Sequence, residues 1–189
     1  MKQLLAGRLP LRTYDAVVNT ITPQTLAVLC VLGFIPGHAW GEDRTDVDHS
    51  LVFEAGPAAE RDLKNKSSNY GVTVAIETTP IEHWLELEFG VTLLNTGGRT
   101  ELGADLLFKK PFRLSQTAEL MIGLGPTLAQ RFRNNQRGTS VGMEFALDFM
   151  FWPSKNVGWY LEPSYGFGLG STRGERSIGG SAGILIGWP

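Results

Sequence analysis

The chain has 189 residues and a mass of 20.7 kDa, with 42% hydrophobic and 19% charged residues, a balance that excludes a disordered tail or a collagen-like repeat. A formal charge of -2 and a pI near 5.9 leave no basic footprint for nucleic acid, and the length suits one domain. Glycine stands out, at 23 of 189 residues beside ten Phe, five Trp and four Tyr, about 12% where roughly 7% is usual, which points to strands and turns rather than helices.

Residues 26–35 form an uncharged apolar run behind Lys2, Arg8 and Arg12, and Pro36, Gly37, His38 and Ala39 follow it. This is the order of a secretory signal, with cleavage after Ala39 preferred and after Gly41 as the alternative. The run is about half the roughly 20 residues of a spanning helix. Cys30 lacks the small residue just before it that a lipoprotein signal needs. The expected organisation is therefore a signal peptide over 1–39, a short periplasmic segment over 40–48 and one folded unit over 49–189. The chain from residue 40 onward keeps 14 basic and 18 acidic residues and no cysteine, so no disulfide can staple it.

From residue 50 onward apolar residues recur at every second position, the period of strands whose two faces meet different surroundings. Eight stretches carry it. Leu51, Phe53 and Ala55 alternate with Ser50, Glu54 and Gly56; Tyr70, Val72, Val74 and Ile76 follow, then Leu85, Leu87, Phe89, Val91 and Leu93 against Glu86, Glu88 and Gly90. Leu102 to Phe108, Ala118 to Leu124, Val141 to Phe151, Trp159 to Leu169 and Ile178 to Trp188 complete the set. Long connections are expected over 57–69, 95–100, 130–139 and 170–176, and short turns at Pro80, Pro111 and 152–156. An even number of strands of about ten residues, joined alternately by short and long connections, is the pattern of a transmembrane barrel.

The polar face is made of Gly, Ser, Thr and Ala with about one acid per strand and almost no mid-strand Lys or Arg. A solvated exterior would carry more long charged side chains, so this face is read as a narrow lumen and the apolar face as the lipid side. The aromatics at one rim, Trp84, Phe108, Phe151, Trp152, Trp159 and Trp188, read as an interfacial girdle. On strand count, connections, signal and terminal aromatic strand, residues 49–189 resemble the small eight-stranded outer-membrane barrels of Gram-negative bacteria, the OmpA-like and OmpX-like group. The resemblance implies an all-β, antiparallel, up-and-down transmembrane barrel placed in the outer membrane by the barrel-assembly machinery. In such barrels that machinery reads a terminal aromatic residue; here Trp188 is followed by Pro189.

The expected lumen acids are Glu54, Glu77, Glu86, Glu88, Glu101, Asp105, Glu119, Glu144, Asp148 and Glu162, with Lys109, Arg113 and Arg131 as inward basic partners. Carboxylates in a low-dielectric interior must be paired, protonated or bound to a cation. The set reads as a structural network filling the barrel, or as a lumen that binds or passes a cation or small solute. Eight strands leave an interior only wide enough for side chains, which argues against an open porin. Arg99, Arg133, Arg137, Arg173 and Arg176, with Lys64 and Lys66, fall in the expected outer loops, where arginine suits the phosphates of lipopolysaccharide.

An enzyme on this scaffold would need a nucleophile and base near the membrane surface. His49 and His83 have no serine and carboxylate at triad-like spacing, and beside Glu162 and Ser164 the next inward position is held by Tyr160 rather than a histidine. No metal-ligand spacing stands out, and no cofactor is expected. Gly166, Gly168 and Gly170 mimic a nucleotide loop but lie in a period-two segment with no helix after it. A structural or surface-interaction role follows, with a soluble, exported, lipocalin-like carrier of a lipophilic ligand as the remaining alternative.

Overall fold

The computed structural model describes residues 49–133 and 136–189. The expected signal and periplasmic segment lie outside the described residues. Eight strands run in chain order: β1 (Leu51–Asp62), β2 (Ser68–Ile81), β3 (Leu85–Thr96), β4 (Arg99–Arg113), β5 (Ala118–Arg133), β6 (Gln136–Phe151), β7 (Val157–Gly168) and β8 (Arg176–Trp188). Each pairs antiparallel with the next, and β1 pairs with β8, so the sheet closes on itself and leaves no edge. Both ends of the described barrel chain, with the turns at 82–84, 114–117 and 152–156, gather at one rim, called here the terminal rim; the opposite one is the loop rim.

The alternation in sequence becomes an alternation between outside and inside. Val72, Ile76, Phe89, Ile178 and Ile184 are each more than half exposed, whereas Glu54, Glu77, Glu88, Lys109 and Asp148 are buried. A soluble barrel would reverse this. With no water to meet a backbone group in hydrocarbon, a closed sheet with an apolar exterior is the β solution to spanning a bilayer.

The strands hold 12 to 16 residues, longer than expected. Twelve residues at about 3.3 Å each, tilted by about 40°, rise about 30 Å, the thickness of the hydrocarbon core. The 16-residue strands β5 and β6 therefore stand about 10 Å beyond it. Most of the expected long loops are ladder. β1 runs through 57–62, the β3–β4 hairpin turns on Gly97 and Gly98 at φ +44° and +93°, and β5–β6 pairing continues to Arg133↔Gln136. Only the connection 169–175, with its short 3-10 turn Gly170–Thr172, remains long. The physical reason is that these extensions stand clear of lipid. They need no apolar face, so they keep the strand conformation and lose the alternation that announces it.

The ladder is interrupted where proline removes a donor. Register pairs are missing around Pro57 on its β8 side, around Pro126 on its β4 side and around Pro163 on its β6 side, and β2–β3 shifts register next to Pro80. At two of these gaps glycine lets the backbones close up. The carbonyl of Ala182 points into the space a side chain at Gly56 would need, and that of Leu106 does the same at Gly125. A Cα–H facing a carbonyl in this way partly replaces the missing N–H bond.

Candidate functional site: the lumen septum

Inward side chains divide the lumen into two cavities and a septum. The upper cavity, about 170 Å³, opens toward the loop rim and is walled by small and hydroxyl residues, with Glu60, Asp105 and Glu144 among them. The lower cavity, about 110 Å³, opens toward the terminal rim and is lined by Glu86, Arg113 and Glu119, among others. Between them lies Lys109, fully buried on β4. Its Nζ donates to Glu88 on β3 and to Asp148 on β6, the latter at 2.8 Å, and lies 3.0 Å from Glu162 on β7 and 3.4 Å from Glu77 on β2. Glu54 on β1 completes the ring of acids. One ammonium thus ties together residues from five strands. The geometry follows from parity: inward positions at similar height on neighbouring strands converge in a lumen barely wider than a side chain.

A layer of apolar side chains seals the septum on its terminal side. Val52, Met121, Met150, Tyr160 and Leu185 pack together there, with Trp152 against them. Apart from Met150 and Tyr160, these positions escape a reading based on polarity, because they have inward parity but apolar side chains. The signal that could find them is the strand phase itself, carried through residues that break the polar pattern.

The remaining expected site residues separate by height. Glu86 is buried beside Glu77 at the lower edge of the septum, and Arg113 and Glu119 lie below it in the lower cavity. Asp105 lies higher, its carboxylate filling the space a side chain at Gly90 would take, and Glu144 sits beside Ser164. Near the loop rim Glu101 accepts from Arg99 Nη2 and Arg131 Nε, each at 2.9 Å, while Arg131 Nη1 reaches Glu175 at 3.0 Å. Arg99, expected to face outward phosphates, is thus engaged within the protein, because its short hairpin brings Glu101 to the same side. Arg137, Arg173 and Arg176 are exposed, and Arg137 lies over the Phe132 ring at 5.8 Å. The side chain of Arg133 lies outside the described residues.

Of the expected girdle, Phe108 and Trp188 are exposed on the wall, Phe151 and Trp159 stack at 3.9 Å between centroids, and Trp84 sits exposed in a turn near Lys110 Nζ. Trp152 departs from the expectation. It turns into the lower mouth, where it stacks on His49 at 4.1 Å, because its inward parity persists past the end of β6. His49 lies within hydrogen-bond reach of the Lys155 carbonyl at 2.6 Å, and Asn156 bonds the Gly187 carbonyl at 2.8 Å, so the last turn is tied to the first and last strands' ends at the terminal rim.

No family model and no curated protein matches this chain. Solved structures do. Neisserial surface protein A is 13% identical over 73% of this chain and 96% of its own, with a TM-score of 0.59. The N-terminal barrel domain of Pseudomonas aeruginosa OprF is 10% identical over 74% and 98%, with a TM-score of 0.55. Ail of Yersinia pestis, in complex with the heparin analogue sucrose octasulfate, is 10% identical over 75% and 100%, also with a TM-score of 0.55. The fold is that of the small eight-stranded outer-membrane barrels. At such identities the likeness is one of architecture, and the septum of this outer-membrane-type barrel has to be understood from its own residues.

Proposed function

We propose that the protein is an integral outer-membrane barrel that serves as a sealed anchor, holding its loop rim at the cell surface for a structural or surface-contact role without catalysis. The observation that carries this reading is the inverted wall around a blocked lumen: apolar residues outside, and a septum of ion pairs backed by apolar packing inside. A lipocalin-like carrier would need the opposite polarity and an apolar cavity. Passage of a solute would need the septum to part, which breaks buried ion pairs. The exposed Arg137, Arg173 and Arg176, with Lys64 and Lys66, present cations at the loop rim that suit lipopolysaccharide phosphates. Ail, a barrel of this architecture, has been solved in complex with the heparin analogue sucrose octasulfate, which is in keeping with contact to a polyanion. Insertion would use the barrel-assembly machinery, acting on β8.

Fractionation and conductance test this together. The folded protein is expected to sediment with outer membranes, to migrate differently on gels before and after heating, and to give no current steps above leak in planar bilayers. Recovery in the soluble periplasm would overturn the membrane assignment, and discrete conductance steps would overturn the sealed lumen.

A further inference from the structure

The septum holds more negative charge than Lys109 can balance. Glu54, Glu77, Glu88, Asp148 and Glu162 surround a single ammonium, and the first four are at most 3% exposed. The ion pairs leave particular atoms over. Glu54 Oε1 and Asp148 Oδ1, on two different strands, are buried without a hydrogen-bond partner, and Glu77 Oε2 has no hydrogen bond beyond its 3.4 Å ion-pair contact with Lys109. A further atom in the same condition belongs to no acid. The Tyr160 hydroxyl, on a side chain 1% exposed, lies near Glu54, Asp148 and Glu162 and outside hydrogen-bond geometry with its neighbour Ser181. A septum serving only to fill the barrel would do as well with Phe at this position, since an unpaired buried hydroxyl costs free energy.

Spacing indicates what could satisfy these atoms. One carboxylate oxygen from each of Glu54, Glu77, Glu88 and Asp148 lies within 4.8 Å of all the others. Oxygens on opposite sides of Ca²⁺ stand about 4.6–5.2 Å apart, and those around Mg²⁺ only about 4.0–4.2 Å. Four carboxylates meeting in one place suit Ca²⁺, which takes about six to eight oxygens in flexible geometry, better than Mg²⁺, which usually keeps several waters and binds through about one or two carboxylates. The upper cavity reaches Glu88, so a cation has an approach from the loop rim, on the side the apolar layer leaves open.

We propose that the septum binds a calcium-sized divalent cation beside Lys109, held by Glu54, Glu77, Glu88 and Asp148, with the Tyr160 hydroxyl as a neutral oxygen donor. The cation links β1, β2, β3, β6 and β7 from within and takes the charge that Lys109 leaves uncompensated. It is a resident ion in a closed barrel, so the proposal stands apart from any claim of transport.

The test uses the protein folded in maltoside micelles free of lipopolysaccharide, with Tb³⁺ as the probe and aromatic-sensitised luminescence as the readout. Saturable luminescence is expected, displaced by Ca²⁺ at concentrations at least tenfold below those needed with Mg²⁺. Glu54→Gln and Asp148→Asn should abolish it, Tyr160→Phe should weaken it by about tenfold, the scale for losing a supporting group at a metal site, and Glu82→Gln in an exposed turn should leave it unchanged. Should either carboxamide variant fail to fold, wild type and Tyr160→Phe decide the matter. Absence of saturable binding, equal competition by Mg²⁺, or binding undiminished in the variants that fold would overturn the proposal.

Discussion

Replacing Lys109 with Met removes one charge from the centre of the barrel while keeping most of the side-chain volume. Lys109 is fully buried and contacts Glu77, Glu88, Asp148 and Glu162 within 3.4 Å. Breaking a buried pair by deleting one partner costs about 3–5 kcal/mol, because the other charge stays buried without compensation. At a urea dependence of about 2 kcal/mol per molar, that lowers the unfolding midpoint by about 1.5–2.5 M. Tryptophan fluorescence in lipid vesicles follows the transition, with heat-modifiable migration scoring the folded fraction. Adding Glu88→Gln and Asp148→Asn to Lys109→Met should recover much of the loss, since the orphaned charges go with them. A shift below about 0.5 M, or no recovery in the triple variant, would refute the idea that this ammonium holds the septum together.

Two further variants test other parts of the structure. Gly56→Val places a side chain where the Ala182 carbonyl already stands, so folding yield should collapse, whereas Gly138→Ala, with open space around it, should unfold within about 1 kcal/mol of wild type; equal yields of the two in a refolding assay would contradict the close approach at the β1–β8 seam. Val74→Arg, on an exposed mid-strand position, should cost about 2–4 kcal/mol in vesicles, and Leu51→Arg at the terminal rim about 0–1. Equal costs in urea titrations would mean that the outer wall does not meet hydrocarbon.

The period of two made the barrel legible because lipid and lumen impose opposite demands on neighbouring residues. From Leu85 to Leu93 every outward position is apolar and from Glu86 to Gly90 every inward one is not, so phase and face could be read directly. Where only one demand acts, the pattern failed. Arg61, Gln130 and Thr139 pair in ladders beyond the hydrocarbon core, yet polar residues on both faces read as loop. Val52, Met121 and Leu185 failed in the opposite direction, since an apolar seal inside the lumen looks like an error in phase. For the candidate site, parity gave Lys109 and its acids a common face. Which acids share its height depends on strand stagger, a property of the closed sheet that no single strand carries, so Glu101 and Asp105 could not be told apart from Glu88.

The prolines give this wall a grain. The β6–β7 ladder is the shortest of the eight, running from Gly142↔Gly168 to Phe151↔Trp159 with a break at Pro163, while β5–β6 pairs without interruption along its whole length. Pulled sideways, the cylinder would therefore part first between β6 and β7, not at the seam where its two terminal strands meet. Asp148 and Glu162 lie on the two sides of that line, and Lys109 bridges them from within. The septum thus acts as a crossbar at the height where the wall has fewest stitches.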